Sequence, residues 1–463
     1  MCLIGMKRVV ISAKKEDRMA SRVVTKLLGT VLMVAVLVVP LAMAYDEFDL
    51  RPWTNTPIYF QGWNYRPDIV EDNVRRYNEE LGGHVQYSTI AGDYSAIMET
   101  KLVVGAPLDV LYGHAYDAIR YYRGGWILPA EELPNIEQIK ADMYPTIIKA
   151  LSYDGKLLGL PYFTSVIGCV AVNLKLLEKV GLTPQDFPKT WDELYNQLYE
   201  VRKRGLEHPY LPPWYVEQWG IPWAFIYETL NRGGRIVDEN GEPLLTADGP
   251  AGDTLRAWKR IWNDGLVPHE VLGYKEADFL EAWESGQYLY TPTMLYNLKR
   301  HNDPYYSAIA GYCSVIPYAG QPWGMLDIAA YLMTAHPRTE GAKHDVMAFT
   351  SWYGYKDHHG EFFVANRWLE NSMLFSGYRP VMESPLAEAV MKKALARPED
   401  YRAALELYEH VQYPAELFQQ PWAAEFQSFL REILDEFLLK DLPVEQVIQA
   451  MRDEINRLNA MYK

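Results

Sequence analysis

The chain has 463 residues, with 60 acidic against 45 basic side chains and a formal net charge of −15. So acidic a surface argues against nucleic acid or anionic lipid as a partner, because both require neutralising Lys and Arg. The length exceeds what one hydrophobic core usually organises, so division into two lobes is expected.

The N-terminus reads as an export signal. Lys26 precedes the apolar run 27–41, which closes on Ala42-Met43-Ala44 before the composition turns acidic at Tyr45-Asp46-Glu47. That run is too short for a membrane span of about 20 residues but suits a signal peptide cleaved after Ala44, placing the protein in the periplasm or outside the cell. An uncleaved anchor is the alternative. A start at Met19 would give a conventional signal, so residues 1–18 are expected to be absent from the natural precursor. Lys7, Arg8, Lys14, Lys15, Arg18, Arg22 and Lys26 leave with this segment against only Glu16 and Asp17, so the mature chain is more acidic still. Cys2 leaves as well. Cys169 and Cys313 remain, both in apolar strand-like runs, and export permits either a disulfide or two buried free thiols. No cysteine spacing suggests a metal finger, and no cofactor is expected.

After the signal the elements alternate. Residues 57–63 read as a strand. Residues 68–81 form a helix, with Ile69, Val70, Val74, Tyr77 and Leu81 on one face, stopped by Gly82-Gly83. A strand over 84–90, a helix over 93–104 and a strand over 108–112 complete a β-α-β-α-β order. Such an order implies parallel strands with ligand loops at their carboxyl ends. Those loops carry Trp63, Asn64, Tyr65, Asp93, Tyr94, Gly113 and His114.

Residues 154–194 are the most informative stretch. The Asp154-Gly155 turn is followed by Pro161-Tyr162 and by a strand, 166–172, too uniformly apolar and β-branched for a surface position. Asn173 opens a short helix that Gly181 closes, and Thr190 with Glu193 forms a capping box for the next helix, 191–205. Farther on lie an aromatic region (214–227), a helix over 278–287 ending at Gly286, and the run YAGQPWGMLDIAAYLM over 318–333. A final amphipathic helix spans 443–461, with Val444, Val447, Ile448, Met451, Ile455 and Leu458 in register.

The order of DGKLLGLPYF, an apolar strand, Asn173, Gly181-Leu182 and TWDEL resembles the first interlobe crossover of the extracellular solute-binding proteins that feed ABC importers, the maltose-binding family. Gly125-Trp126-Ile127-Leu128-Pro129, the 318–333 stretch and Gly377-Tyr378-Arg379-Pro380 match further segments of that family. The resemblance implies an α/β, two-lobe periplasmic-binding-protein fold (type II) with an interdomain cleft and hinge crossovers. It places lobe 1 at 45–165 plus 329–368 and lobe 2 at 166–328 plus 369–463. It also implies a monomer that binds a carbohydrate and delivers it to membrane permease subunits, with no reaction catalysed.

The chain holds 34 Tyr and 14 Trp, many in expected loops. Sugars offer flat C–H faces to aromatic rings and hydroxyls to polar groups, so these residues suit a saccharide cleft. The candidates in lobe 1 are Trp63, Tyr65, Tyr94, His114 and Tyr162. Those in lobe 2 are Trp219, Trp223, Tyr296 and Tyr378, while Trp323 and Asp327 are expected on the cleft floor if the resemblance holds. A structural anchor is the alternative for each ring, a hinge hydrogen bond for Asp327, and a satisfied loop histidine for His114. A secreted glycosidase would need two carboxylates roughly 5 Å or 6.5–9.5 Å apart. Glu217 and Glu228 are available, but no spacing marks a pair, and no nucleophile elbow, zincin helix or P-loop is present. Tyr121-Tyr122 and Tyr305-Tyr306 resemble the paired phenolates of ferric-ion-binding relatives, although Arg120 and Arg123 flank the first pair. His358-His359, beside Asp357 and Gly360, reads as a polar turn.

Overall fold

The structure, a computed structural model, describes residues 48–90 and 94–462. The expected signal segment and Asp93 lie outside the described residues.

The alternating order of the first segment is observed. β1 (Ile58–Trp63), the Pro67–Leu81 helix, β2 (Val85–Ile90), the Tyr94–Val103 helix and β3 (Val110–His114) follow in turn. β1 pairs in parallel with β2 along its length and with β3 on its other side. The first helix buries Ile69, Val70, Val74 and Tyr77, the apolar stripe its periodicity marks. β4 (Ile127–Leu128) is short, and β5 (Ser152–Tyr153) turns at Asp154-Gly155 into β6 (Lys156–Leu157).

β7 (Leu160–Asn173) is buried at all 14 positions, as a uniformly apolar strand must be, and starts earlier than the expected 166. The extension holds because its first residues pair with β10 (Met325–Thr334), and a bulge between Ala329 and Ala330 accommodates Pro161, which has no N–H to offer. β8 (Tyr290–Met294) and β9 (Cys313–Val315) pair with the far half of β7. The strand order is β2-β1-β3-β10-β7-β8, with β4 on β10 and β9 on β7. One mixed sheet therefore runs through the protein, and the antiparallel strands β7 and β10 link its two halves.

Two glycines permit this central crossing. The β7 register jumps between Ile167 and Cys169, and Gly168 sits there at φ 88°. A Cβ on Gly168 would fall 2.6 Å from the Tyr227 ring, and one on Gly324 (φ 84°) would fall 2.1 Å from the Ile167 carbonyl oxygen. Only a residue without a side chain fits either place. Asn231 then grips Gly324 at both polar groups, donating to its carbonyl and accepting from its N–H, each at 2.8 Å.

Asn173 caps the Leu174–Lys179 helix, its Oδ1 accepting from the N–H groups of Lys175 and Leu176. At the Trp191–Lys203 helix, Thr190 Oγ1 accepts from Glu193 N–H at 3.2 Å. The Glu193 carboxylate reaches one residue beyond a regular capping box, to Lys189 N–H at 2.8 Å. The last helix, Val444–Tyr462, buries Val444, Val447, Ile448, Met451, Ile455 and Leu458 against the Ala423–Leu439 and Pro250–Asn263 helices. Cys169 and Cys313 are buried free thiols. Burial pushes both pKa values up, that of Cys313 to about 12, which suppresses thiolate reactivity.

Candidate ligand cleft

A cleft of about 550 Å³ opens beside the β7–β10 crossing. This volume lies in the range of small-molecule sites, about 300–1,000 Å³. One wall is built from the carboxyl ends of β1 and β3 and the start of β7. Trp63 ends β1, and its ring meets Tyr94, Tyr112, His114 and Tyr162 at centroid distances of 5.2–5.7 Å. The Tyr94 hydroxyl ties two strands together, donating towards the carbonyls of Gln61 and Tyr112 and accepting from Tyr112 N–H. Tyr162 stacks on Tyr112 at 4.5 Å. Its own hydroxyl is buried beside the Trp63 indole. Tyr65, more exposed, lies face to face with Trp368 at 6.2 Å.

A second wall comes from the aromatic region and the β8 end. Trp219 donates its indole N–H to Glu276 Oε2 at 3.0 Å. Trp223 is held by Gln427 Oε1 and packs on Phe418. Tyr296 follows Met294, whose sulfur accepts its hydroxyl. Asp327 of β10 and Leu374 complete the lining, together with Ser95, Tyr116, Phe163 and Gln218.

Burial holds the phenols of Tyr94, Tyr162 and Tyr296 well above their ordinary pKa, so each is a neutral hydroxyl rather than a phenolate. Glu276 is also raised, first by burial and then by Glu217 and Asp327, against the opposing Trp219 hydrogen bond. Burial opposes a charged His114, yet Asp327, whose Oδ1 is 3.5 Å from His114 Nδ1, outweighs it and raises the imidazole pKa.

Of the residues singled out from sequence, all but two line this cleft. Trp323 is 1% exposed and packs edge-on against Trp191 at 4.9 Å, away from the floor where it was expected. It precedes Gly324, which the Asn231 clamp holds to the helical layer. Tyr378 is also fully buried, donating its hydroxyl to the Gly354 carbonyl at 2.6 Å between Tyr355 and Phe362. Sequence reasoning missed Ser95, Tyr116, Phe163, Gln218, Glu276, Met294 and Leu374. Gln218, Tyr116 and Phe163 sit within two residues of chosen positions, whereas Glu276 has no local mark at all.

The other candidates lie elsewhere. Glu228 is a buried structural acid bonded to Tyr195, Trp258 and Arg232, and Glu217 accepts from Glu276 N–H. Tyr121 is buried, while Tyr305 and Tyr306 are exposed with the Arg300 guanidinium 4.5 Å from the Tyr306 ring. His358 and His359 form the expected turn, Asp357 accepting from His359 N–H. Glu80 comes within 4.8 Å of both imidazoles, but Arg76 already pairs with Glu80 and Asp357.

Residues 73–363 match the family model of bacterial extracellular solute-binding proteins, well over half the chain. The protein belongs to that family. No curated protein matches it in sequence. Among solved structures it is similar to maltose-bound MalE3 of T. maritima, at 16% identity, a TM-score of 0.70 and coverage of 87% of this chain and 99% of that one. It is likewise similar to the acarbose-binding GacH receptor of Streptomyces glaucescens, at 17% identity, a TM-score of 0.69, and 88% and 99% coverage. A third is a ribitol-bound ABC transporter solute-binding protein of Agrobacterium radiobacter K84, at 15% identity, a TM-score of 0.70, and 88% and 100% coverage. The fold is thus the α/β two-lobe periplasmic-binding-protein fold expected from sequence.

Proposed function

We propose that this protein is the extracytoplasmic carbohydrate-binding component of an ABC importer, which captures a sugar or oligosaccharide by hinge closure and catalyses no reaction. The single observation that carries this reading is that rings from two separate parts of the chain line one cleft: Trp63, Tyr65 and Tyr162 from the first wall, Trp219, Trp223 and Tyr296 from the second. Rings on both walls can sandwich saccharide C–H faces, while Ser95, His114, Gln218 and Asp327 offer partners for hydroxyls. Contact with both walls favours the closed state, which makes binding readable to a permease. What the similar structures are described as binding (maltose, acarbose and ribitol) supports the same class.

In this reading the lobes comprise 45–165 plus 329–368 and 166–328 plus 369–463, with β7 and β10 as the connecting strands. The protein acts as a monomer with membrane permease subunits as partners and no nucleic acid, after cleavage of its signal at Ala44. Thermal-shift screening of residues 45–463 against mono- and oligosaccharides, polyols, sugar phosphates and ferric ion tests it. A saccharide or polyol should raise the melting temperature without being consumed. A response to ferric ion alone, or turnover of the sugar, would replace the proposal.

A further inference from the structure

The charge of the cleft is unbalanced. Asp327 and Glu276 both line it, and among the described residues no Lys or Arg does. His114 is the basic group present, and it is already engaged with Asp327 at 3.5 Å. Glu276 has no ion-pair partner among the described residues. Another carboxylate, Glu217, accepts from its backbone N–H at 3.0 Å. Arg300, whose charge acts on Glu276 from outside the cleft lining, is committed to Glu284 through two hydrogen bonds of 2.7 and 2.9 Å. A half-buried carboxylate in this position is desolvated without a counter-charge, so a ligand that supplies one offsets the cost. The Trp219 indole N–H bonds directly to this carboxylate, and Tyr296 lines the same cleft. Aromatic rings lining one cleft with an acid are a setting in which an ammonium group can meet a ring face and the carboxylate together.

Resting on the saccharide reading above, we propose that the preferred ligand is an amine-bearing saccharide whose ammonium group is held by Glu276 between Trp219 and Tyr296. The His114–Asp327 pair then serves neutral hydroxyls on the other side. Uronic acids and sugar phosphates are rejected, because their charge would face Asp327 and Glu276 with no Lys or Arg to receive it.

Calorimetric titration of residues 45–463 at about pH 7 tests this with three probes of matched size: glucosamine oligosaccharides, neutral glucose oligosaccharides of the same linkage, and glucuronic-acid-containing ones. The amine series should bind about tenfold more tightly than the neutral series, the scale of one charge-assisted hydrogen bond, and the acid series should not bind. Glu276→Gln should collapse the amine-to-neutral affinity ratio towards one. Raising the salt concentration should weaken the amine series selectively, a readout on the wild-type protein that stands even if the variant misfolds. Equal or tighter binding of neutral sugars, with a ratio insensitive to salt, overturns the amine preference and leaves the saccharide reading standing. Binding by none of the three series, while another saccharide or polyol still raises the melting temperature, overturns the amine preference alone; silence in both experiments defeats both.

Discussion

His114 and Asp327 meet diagonally across two strands. His114 ends β3 opposite Ala329 of β10, and Asp327 lies two residues along β10 on the same face, bringing Oδ1 to 3.5 Å from Nδ1. The pair faces the cleft, and its electrostatics are measurable. Asp327 raises the His114 pKa above the usual 6.5 despite burial. Asp327→Asn removes the larger raising charge and leaves burial opposed by Asp117 alone, so the imidazole pKa should fall in the variant. NMR titration of the His114 ring checks this, and an unchanged midpoint would deny the coupling. The contribution of the pair to stability is fully present below the unfolded pKa and is lost as pH rises through the elevated folded value. The stability difference between wild type and variant should therefore shrink with rising pH in that window.

Trp219 and Trp323 should behave oppositely on truncation. Trp219 is 36% exposed on the cleft wall, so Trp219→Ala should leave the melting temperature of the free protein nearly unchanged and weaken ligand binding about tenfold. Trp323→Ala opens a void against Trp191 and should cost about 3–5 kcal/mol of stability. Paired melting and binding curves separate the two. A Trp323 variant that melts normally but fails to bind ligand would return that residue to the cleft.

Glu228 is 2% exposed at its side chain and accepts from Tyr195 and Trp258 at 2.7 Å each, while Arg232 pairs with it at 3.1 Å. Glu228→Ala leaves the Tyr195 and Trp258 donors without their acceptor and Arg232 paired with Asp192 alone, so a loss of about 1–3 kcal/mol in urea unfolding is expected. Binding by the folded fraction should persist, because Glu228 is outside the cleft. Loss of binding at full stability would assign the acid a different role.

Gly324→Ala tests the central crossing. The new Cβ would press on the Ile167 carbonyl oxygen from a backbone at φ 84°. The left-handed backbone alone costs about 1–2 kcal/mol, before the steric contact is counted. Poor secretion and a lowered melting temperature are expected. A variant as stable as wild type would mean that β7 and β10 separate more readily than their packing implies.

Much of this architecture was legible locally. The Pro67–Leu81 helix and the closing helix declare their buried faces through 3.6-residue periodicity, and β7 through an unbroken apolar run. Asn173 and Thr190 mark helix starts because a side-chain oxygen at that place satisfies amides that no helix can. The cleft candidates nearest these elements, such as Trp63 and His114 at strand ends, could be chosen because parallel strands deliver their following residues to one edge.

The chain by itself determined which amphipathic or uniformly apolar runs become helix or strand, which faces turn inward and which strand ends carry rings, since those depend on neighbours within a few residues, whereas the first residues of β7 are strand through their pairing with β10. Only the tertiary structure decided that Trp323 and Tyr378 are packed away, that Glu276 joins Asp327 in the cleft and that Glu228 is locked behind it. Those outcomes depend on contacts between residues tens to hundreds of positions apart, where packing and charge act through space and leave no pattern along the sequence.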